Sequence, residues 1–244
     1  MKKVLASAIG VLLICAASLQ AAVEMPASSY TKGLSWLGHA SFKLVRGNVT
    51  VYFDPWRLSG SPQDADLVLI THPHFDHLEP ADLNKVLKPD TVIVTVQECA
   101  DKLKEAGVSA SVQVVKPGDK INVKGVLIEA VAAYNLGKVY HPKEKQWVGF
   151  VIELDGTRIY HAGDTDFIPE MKEIKTDVAL LPVSGTYVMT ADEAADAAKA
   201  ISAKVIVPMH YGTIIGTEVD AKKLQEICSE MVVEVMVKEE GSKK

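Results

Sequence analysis

The chain has 244 residues, 48% hydrophobic and 23% charged, with 26 Lys+Arg against 31 Asp+Glu and a formal net charge of -5. This make-up excludes disordered, collagen-like and coiled-coil classes, and it suffices for one sizeable core, so a single domain is expected. No basic run is longer than a terminal pair, and nothing electrostatic invites nucleic acid.

The first element in chain order is a secretory signal peptide over residues 1–21. Lys2 and Lys3 precede an apolar stretch that ends in the small residues Ala21 and Ala22. The stretch contains Ala, Ser and Gly and falls short of the ~20 apolar residues of a spanning helix, so no stable membrane span is expected after cleavage. The reading is of an exported protein, periplasmic or extracellular, with one domain over residues 22–244. Removal of the two lysines leaves 24 basic against 31 acidic residues, a charge of about -7. Cys99 and Cys228 then remain, and pairing and separate burial are both open.

Short β-branched runs predict strands over residues 49–53, 67–71, 91–96, 126–131, 148–154, 157–160, 178–181, 204–207 and 231–237. Asp155-Gly156 marks a hairpin turn. Helices are predicted over 80–87, 97–106, 191–200 and 219–228. In the third, Thr190 and Glu193 form a capping box ahead of an alanine-rich stretch. Alternation of this kind implies layered α/β architecture. Asp54, the cluster at His72, Asp164 and His210 each follow one of the predicted strands, which places them in loops at strand ends as parts of one composite site.

The strongest motif is Thr71-His72-Pro73-His74-Phe75-Asp76-His77. Imidazole and carboxylate are the groups zinc and its neighbours accept at about 2.0–2.2 Å, and alternate side chains of an extended segment project to one side. His72 and His74 can share one ion while Asp76 and His77 turn towards a second.

At this motif the chain resembles the metallo-β-lactamase superfamily of metal-dependent hydrolases. Asp54 in Phe53-Asp54-Pro55, Asp164 in His161-Ala162-Gly163-Asp164-Thr165 and His210 in Pro208-Met209-His210-Tyr211-Gly212 follow that family's order, as does Trp36-Leu37-Gly38-His39-Ala40 near the start. The likeness is greatest to the branch of ascorbate-phosphate lactonase-like and N-acyl phosphatidylethanolamine phospholipase D-like proteins. It implies a four-layer αββα sandwich with two divalent metal ions, zinc by default and manganese or iron as alternatives.

Carried over by position, the resemblance makes His72 and His74 ligands of the first ion, Asp76, His77 and His210 ligands of the second, and Asp164 the bridge. The family's third histidine for the first ion falls in the loop Ala133-Tyr134-Asn135-Leu136-Gly137-Lys138-Val139-Tyr140-His141, where Asn135 stands at the usual histidine position. His141 is taken as the ligand, with Asn135 or water as the alternative. Asp54 is implied to orient the histidine loop. His39 is read as a pocket-lining donor or a satisfied core histidine, and His161 as a partner of a ligand or a packing residue.

The chemistry so implied is hydrolysis of a small ester, lactone or phosphodiester by a water acidified between two ions, with Asp76 accepting a hydrogen bond from the resulting hydroxide and passing a proton to the leaving group. The substrate would be a small molecule. A non-catalytic extracytoplasmic binder of metal or ligand on the same fold is the alternative.

Overall fold

The computed structural model describes residues 26–239, so the signal-peptide segment lies outside the described residues. A short helix, α1 (Ala27–Tyr30), leads into a hairpin of β1 (Leu34–Gly38) and β2 (Ser41–Arg46). The hairpin continues antiparallel into β3 (Val49–Phe53), and β4 (Ala65–Ile70), β5 (Leu87–Thr95) and β6 (Ser111–Val114) are added in parallel. The result is a six-stranded sheet in simple sequence order.

The second sheet reverses that plan. Antiparallel β7 (Lys120–Val123), β8 (Val126–Ala132), β9 (Val148–Leu154) and β10 (Thr157–His161) are followed by parallel β11 (Val178–Pro182), β12 (Val205–Met209) and β13 (Val232–Val233). The β9–β10 hairpin turns at Asp155-Gly156, both at positive φ, as that dipeptide demands.

The two sheets meet face to face. His161 of β10 stacks on Phe53 with ring centroids 5.2 Å apart and meets Phe42 edge-on, and its Nε2–H donates to the Ala40 carbonyl at 2.8 Å. It therefore acts as a buried strut between the sheets and touches no candidate ligand, the packing alternative of the two.

Helices α2 (Pro80–Val86) and α3 (Gln97–Glu105) belong to the first half, and α3 contacts β6. Helices α4 (Ala191–Ile201) and α5 (Glu218–Ile227) cover β11 and β12 and pack on each other. Six buried residues line one face of α4, and Thr190 and Glu193 close the expected capping box. This is a single domain of αββα layering. Cys99 and Cys228 are both buried and, among the described residues, unpaired, one on α3 beside the first sheet and the other at the end of α5 beside the second.

Four strands, β1, β2, β6 and β7, are absent from the sequence reading. In β6 most side chains are exposed, and in β1 and β2 the hairpin glycine interrupts the apolar alternation. The strand expected over 231–237 shrinks to Val232–Val233, with one further backbone bond from the Glu234 N–H to the Ile206 carbonyl on β12 at 2.8 Å.

Candidate metal centre

Asp54 stands one residue past β3, and His72 two past β4. Asp164 is three past β10, and His210 one past β12. Parallel strands aligned in register thus deliver their successors to one edge of the sandwich. Gly163, just before Asp164, sits at φ 64°, and a Cβ there would lie 3.0 Å from the Val148 carbonyl and 3.2 Å from Thr71. Only glycine brings Asp164 this close to the histidine loop.

The expected ligand atoms converge. His72 Nε2 lies 3.0 Å from His74 Nδ1, and His141 Nε2 lies 3.1 Å from the same atom. Asp164 Oδ2 is 3.2 Å from His141 Nε2 and 3.1 Å from His210 Nε2, while its Oδ1 is 3.2 Å from His77 Nε2. Asp76 Oδ2 is 3.7 Å from His77 Nε2 and 3.9 Å from His210 Nε2. Four ligands at ~2.05 Å in a tetrahedron stand ~3.3 Å apart, close to these spacings. Among the described residues the atoms gather into three overlapping groups able to hold a metal ion: His72, His74 and His141; His72, His77 and Asp164; and Asp76, His77 and His210 together with His39.

Hydrogen bonds decide which ring nitrogens carry lone pairs. Thr71 donates its N–H to Asp54 Oδ1 at 2.8 Å and its hydroxyl to Oδ2 at 2.7 Å, so the hydroxyl oxygen accepts from His72 Nδ1–H at 2.9 Å. His77 Nδ1–H donates to Asp54 Oδ2 at 2.7 Å. One wholly buried carboxylate thereby directs the Nε2 lone pairs of His72 and His77 inward. His210 Nδ1 pairs with the Ser184 hydroxyl at 3.0 Å. His77 Nε2, His210 Nε2 and Asp164 Oδ1 are then left buried with no hydrogen-bond partner among the described residues, and all three face the same space. Such groups are costly to bury unless a cation completes them, so the residues present fit divalent ions.

Charge points the same way. Burial drives His72 well below the ordinary imidazole pKa and His74 down to about 4, so both rings are neutral donors of lone pairs. Burial opposes the charge on His77 too, yet Asp164, Asp54 and Asp76 raise it well above the ordinary value. Against its own burial, Asp76 is pulled down to about 2 by His77 and by the hydrogen bond from His39. Asp164 is likewise held well below the carboxylate range by His210 and His77. The pocket calls for positive charge, which a divalent cation would supply in place of the His77 proton.

The remaining expected residues fall as follows. His141 is buried with its Nε2 3.1 Å from His74 Nδ1, and Asn135 braces the loop. The Asn135 amide donates to the Tyr187 carbonyl at 2.6 Å and the Tyr140 carbonyl at 3.0 Å, with its nitrogen 3.2 Å from His141 Nδ1. His39 is fully buried, 3.0 Å from Asp76 Oδ2, and lines no open surface as a substrate donor would. Sequence reasoning missed Trp147, whose ring lies 4.9–5.5 Å from the rings of His72, His74 and His141 and walls off the first set. It also missed the roles of Thr71 and Ser184, although Thr71 opens the quoted motif.

A family profile described as a β-lactamase superfamily domain matches residues 33–210. A UPF0173 metal-dependent hydrolase from Methanopyrus kandleri is 34% identical over 226 residues, 85% of this chain and 97% of the relative. Another, from Methanoculleus marisnigri, is 40% identical over 190 residues, 74% of this chain and 81% of the relative. Among solved structures, Igni18, a metallo hydrolase from the hyperthermophilic archaeon Ignicoccus hospitalis, superposes with a TM-score of 0.70 at 29% identity, covering 85% of this chain and 95% of its own. Fold and site define a metal-dependent hydrolase of metallo-β-lactamase fold. Within that superfamily the chain belongs to the UPF0173 metal-dependent hydrolase family.

Proposed function

We propose that the protein is a dinuclear hydrolase of small esters, lactones or phosphodiesters, acting outside the cytoplasm after removal of residues 1–21. The observation that carries this reading is the convergence of seven side chains, with buried and unpartnered atoms of His77, His210 and Asp164 facing one space. Two divalent ions held by His72, His74 and His141, by Asp76, His77 and His210, and by Asp164 between them would supply an acidified water and a Lewis acid for the substrate oxygen.

The chain's own residues do the rest. Asp76, held as a carboxylate by His77 and His39, can accept a proton from water and pass it to a leaving group. Most candidate ligands are almost fully buried, whereas His74 is partly exposed and Asp76 is 8% exposed, so substrate approaches from their side. Nitrogen and carboxylate donors favour zinc, with manganese or iron as alternatives. Resemblance to the ascorbate-phosphate lactonase-like and N-acyl phosphatidylethanolamine phospholipase D-like branch supports a cyclic ester or phosphodiester as substrate.

One contact favours the second reading, a non-catalytic binder. The Asn135 amide nitrogen faces His141 Nδ1, the position that should carry a proton if His141 Nε2 is to ligate. Elemental analysis of the purified mature protein, followed by hydrolysis of chromogenic lactone and phosphodiester probes with and without chelator, tests both. Two ions per chain and chelator-sensitive turnover are expected; stoichiometric metal without turnover on any probe would favour the binder.

A further inference from the structure

His39 belongs to the Trp36–Ala40 motif and has no role in the ligand scheme above. It is fully buried, its ring centroid is 4.0 Å from that of His210, and its Nε2 lies with atoms of Asp76, His77 and His210 in a group spanning at most 4.8 Å. Distance alone would make it a further ligand.

The proton count says otherwise. His72 and His77 each donate Nδ1–H to an oxygen, of Thr71 and Asp54, which turns their Nε2 atoms into the site. His39 is the reverse, because its Nδ1 is buried with no hydrogen-bond partner among the described residues and its Nε2 is 3.0 Å from Asp76 Oδ2. A neutral ring has one proton. Placed on Nδ1, that proton would be a buried donor without an acceptor; placed on Nε2, it meets a carboxylate. The ring is also fixed in place from behind, since its backbone carbonyl accepts from Trp36 Nε1–H and from the His210 N–H, both at 2.9 Å.

From this we infer that His39 is a positioning residue, not a ligand: its Nε2–H holds Asp76 Oδ2, the oxygen that faces His77 and His210, and so sets the direction in which Asp76 meets the second ion. The inference rests on the dinuclear reading for its consequence, but the tautomer does not. Loss of such an outer hydrogen bond typically weakens metal binding ~10–100-fold.

Two arms test it. In the metal-free protein, nitrogen-15 NMR of the imidazole rings should show His39 as the Nε2–H tautomer; the Nδ1–H tautomer would overturn the inference whether or not the protein is a hydrolase. In the second arm, zinc affinity and the visible spectrum of the cobalt-substituted protein are measured for His39→Phe, which keeps a ring without a donor, and His39→Gln, which keeps an N–H. His39→Phe should bind the second ion ~10–100-fold more weakly with an altered cobalt band, and His39→Gln should recover most of both. Native binding in His39→Phe, or equal loss in the two variants, would overturn it. The NMR arm stands even if the native chain takes up no second ion, in which case it is the dinuclear reading that fails.

Discussion

Two loops supply the histidines of the first set, and they are built on opposite principles. His72 and His74 sit in a short connection between β4 and α2, anchored from within by Asp54 through Thr71 and His77. His141 sits in the long connection between β8 and β9, which is held from outside. Leu136 N–H and the Lys138 ammonium both bond Asp166, Lys138 also donates to the Val188 carbonyl at 2.7 Å, and Asn135 reaches Tyr187. A loop anchored from within must keep its ligands at fixed spacing. One braced by its neighbours brings His141 Nε2 to 3.1 Å from His74 Nδ1.

The contrast is broken most severely at Asp54. Asp54→Ala removes the acceptor of three buried donors, so a stability loss of ~3–5 kcal/mol by urea denaturation is expected, with loss of both ions by elemental analysis. His141→Ala should leave the fold within ~1 kcal/mol of native and release one ion while retaining the other, read by titration calorimetry. A native count of ions in that variant would remove His141 from the ligand set. Asn135→Ala, which only frees the loop, should weaken the more labile ion by ~10-fold with little change in the other.

The smallest expected effect lies away from the loops. Burial raises the Cys99 thiol to about 12. A thiol reagent at pH 8 should therefore leave Cys99 unmodified until the chain is unfolded. The same shift has a definite sign for stability. Above ~8.5 the unfolded chain loses that proton while the folded chain keeps it, so the contribution of Cys99 falls as pH rises from ~8.5 towards 12.

Much of this site was legible in the residues themselves. The His72–His77 motif is local, so its ligand spacing follows from chain geometry, and the predicted strand over 67–71 places it at a strand end. The hairpin at Asp155-Gly156 and the cap at Thr190 are equally local. The edge strand β6 was hidden although Ser111-Val112-Gln113-Val114 alternates, because a run of four residues, mostly exposed, is a short signal. Trp147 and Ser184 were hidden because nothing in a tryptophan or a serine alone says which ring it will face.

Residue order by itself determined the metal-binding residue types of the histidine motif and the layered α/β class, since each depends on local spacing and hydrophobic period. Tertiary structure packed Asn135 against His141, set His161 between the sheets and turned His39 towards Asp76. These are contacts between residues 6, 108 to 121 and 37 positions apart, and which nitrogen holds a proton there depends on partners that only the packed sandwich brings within hydrogen-bond reach.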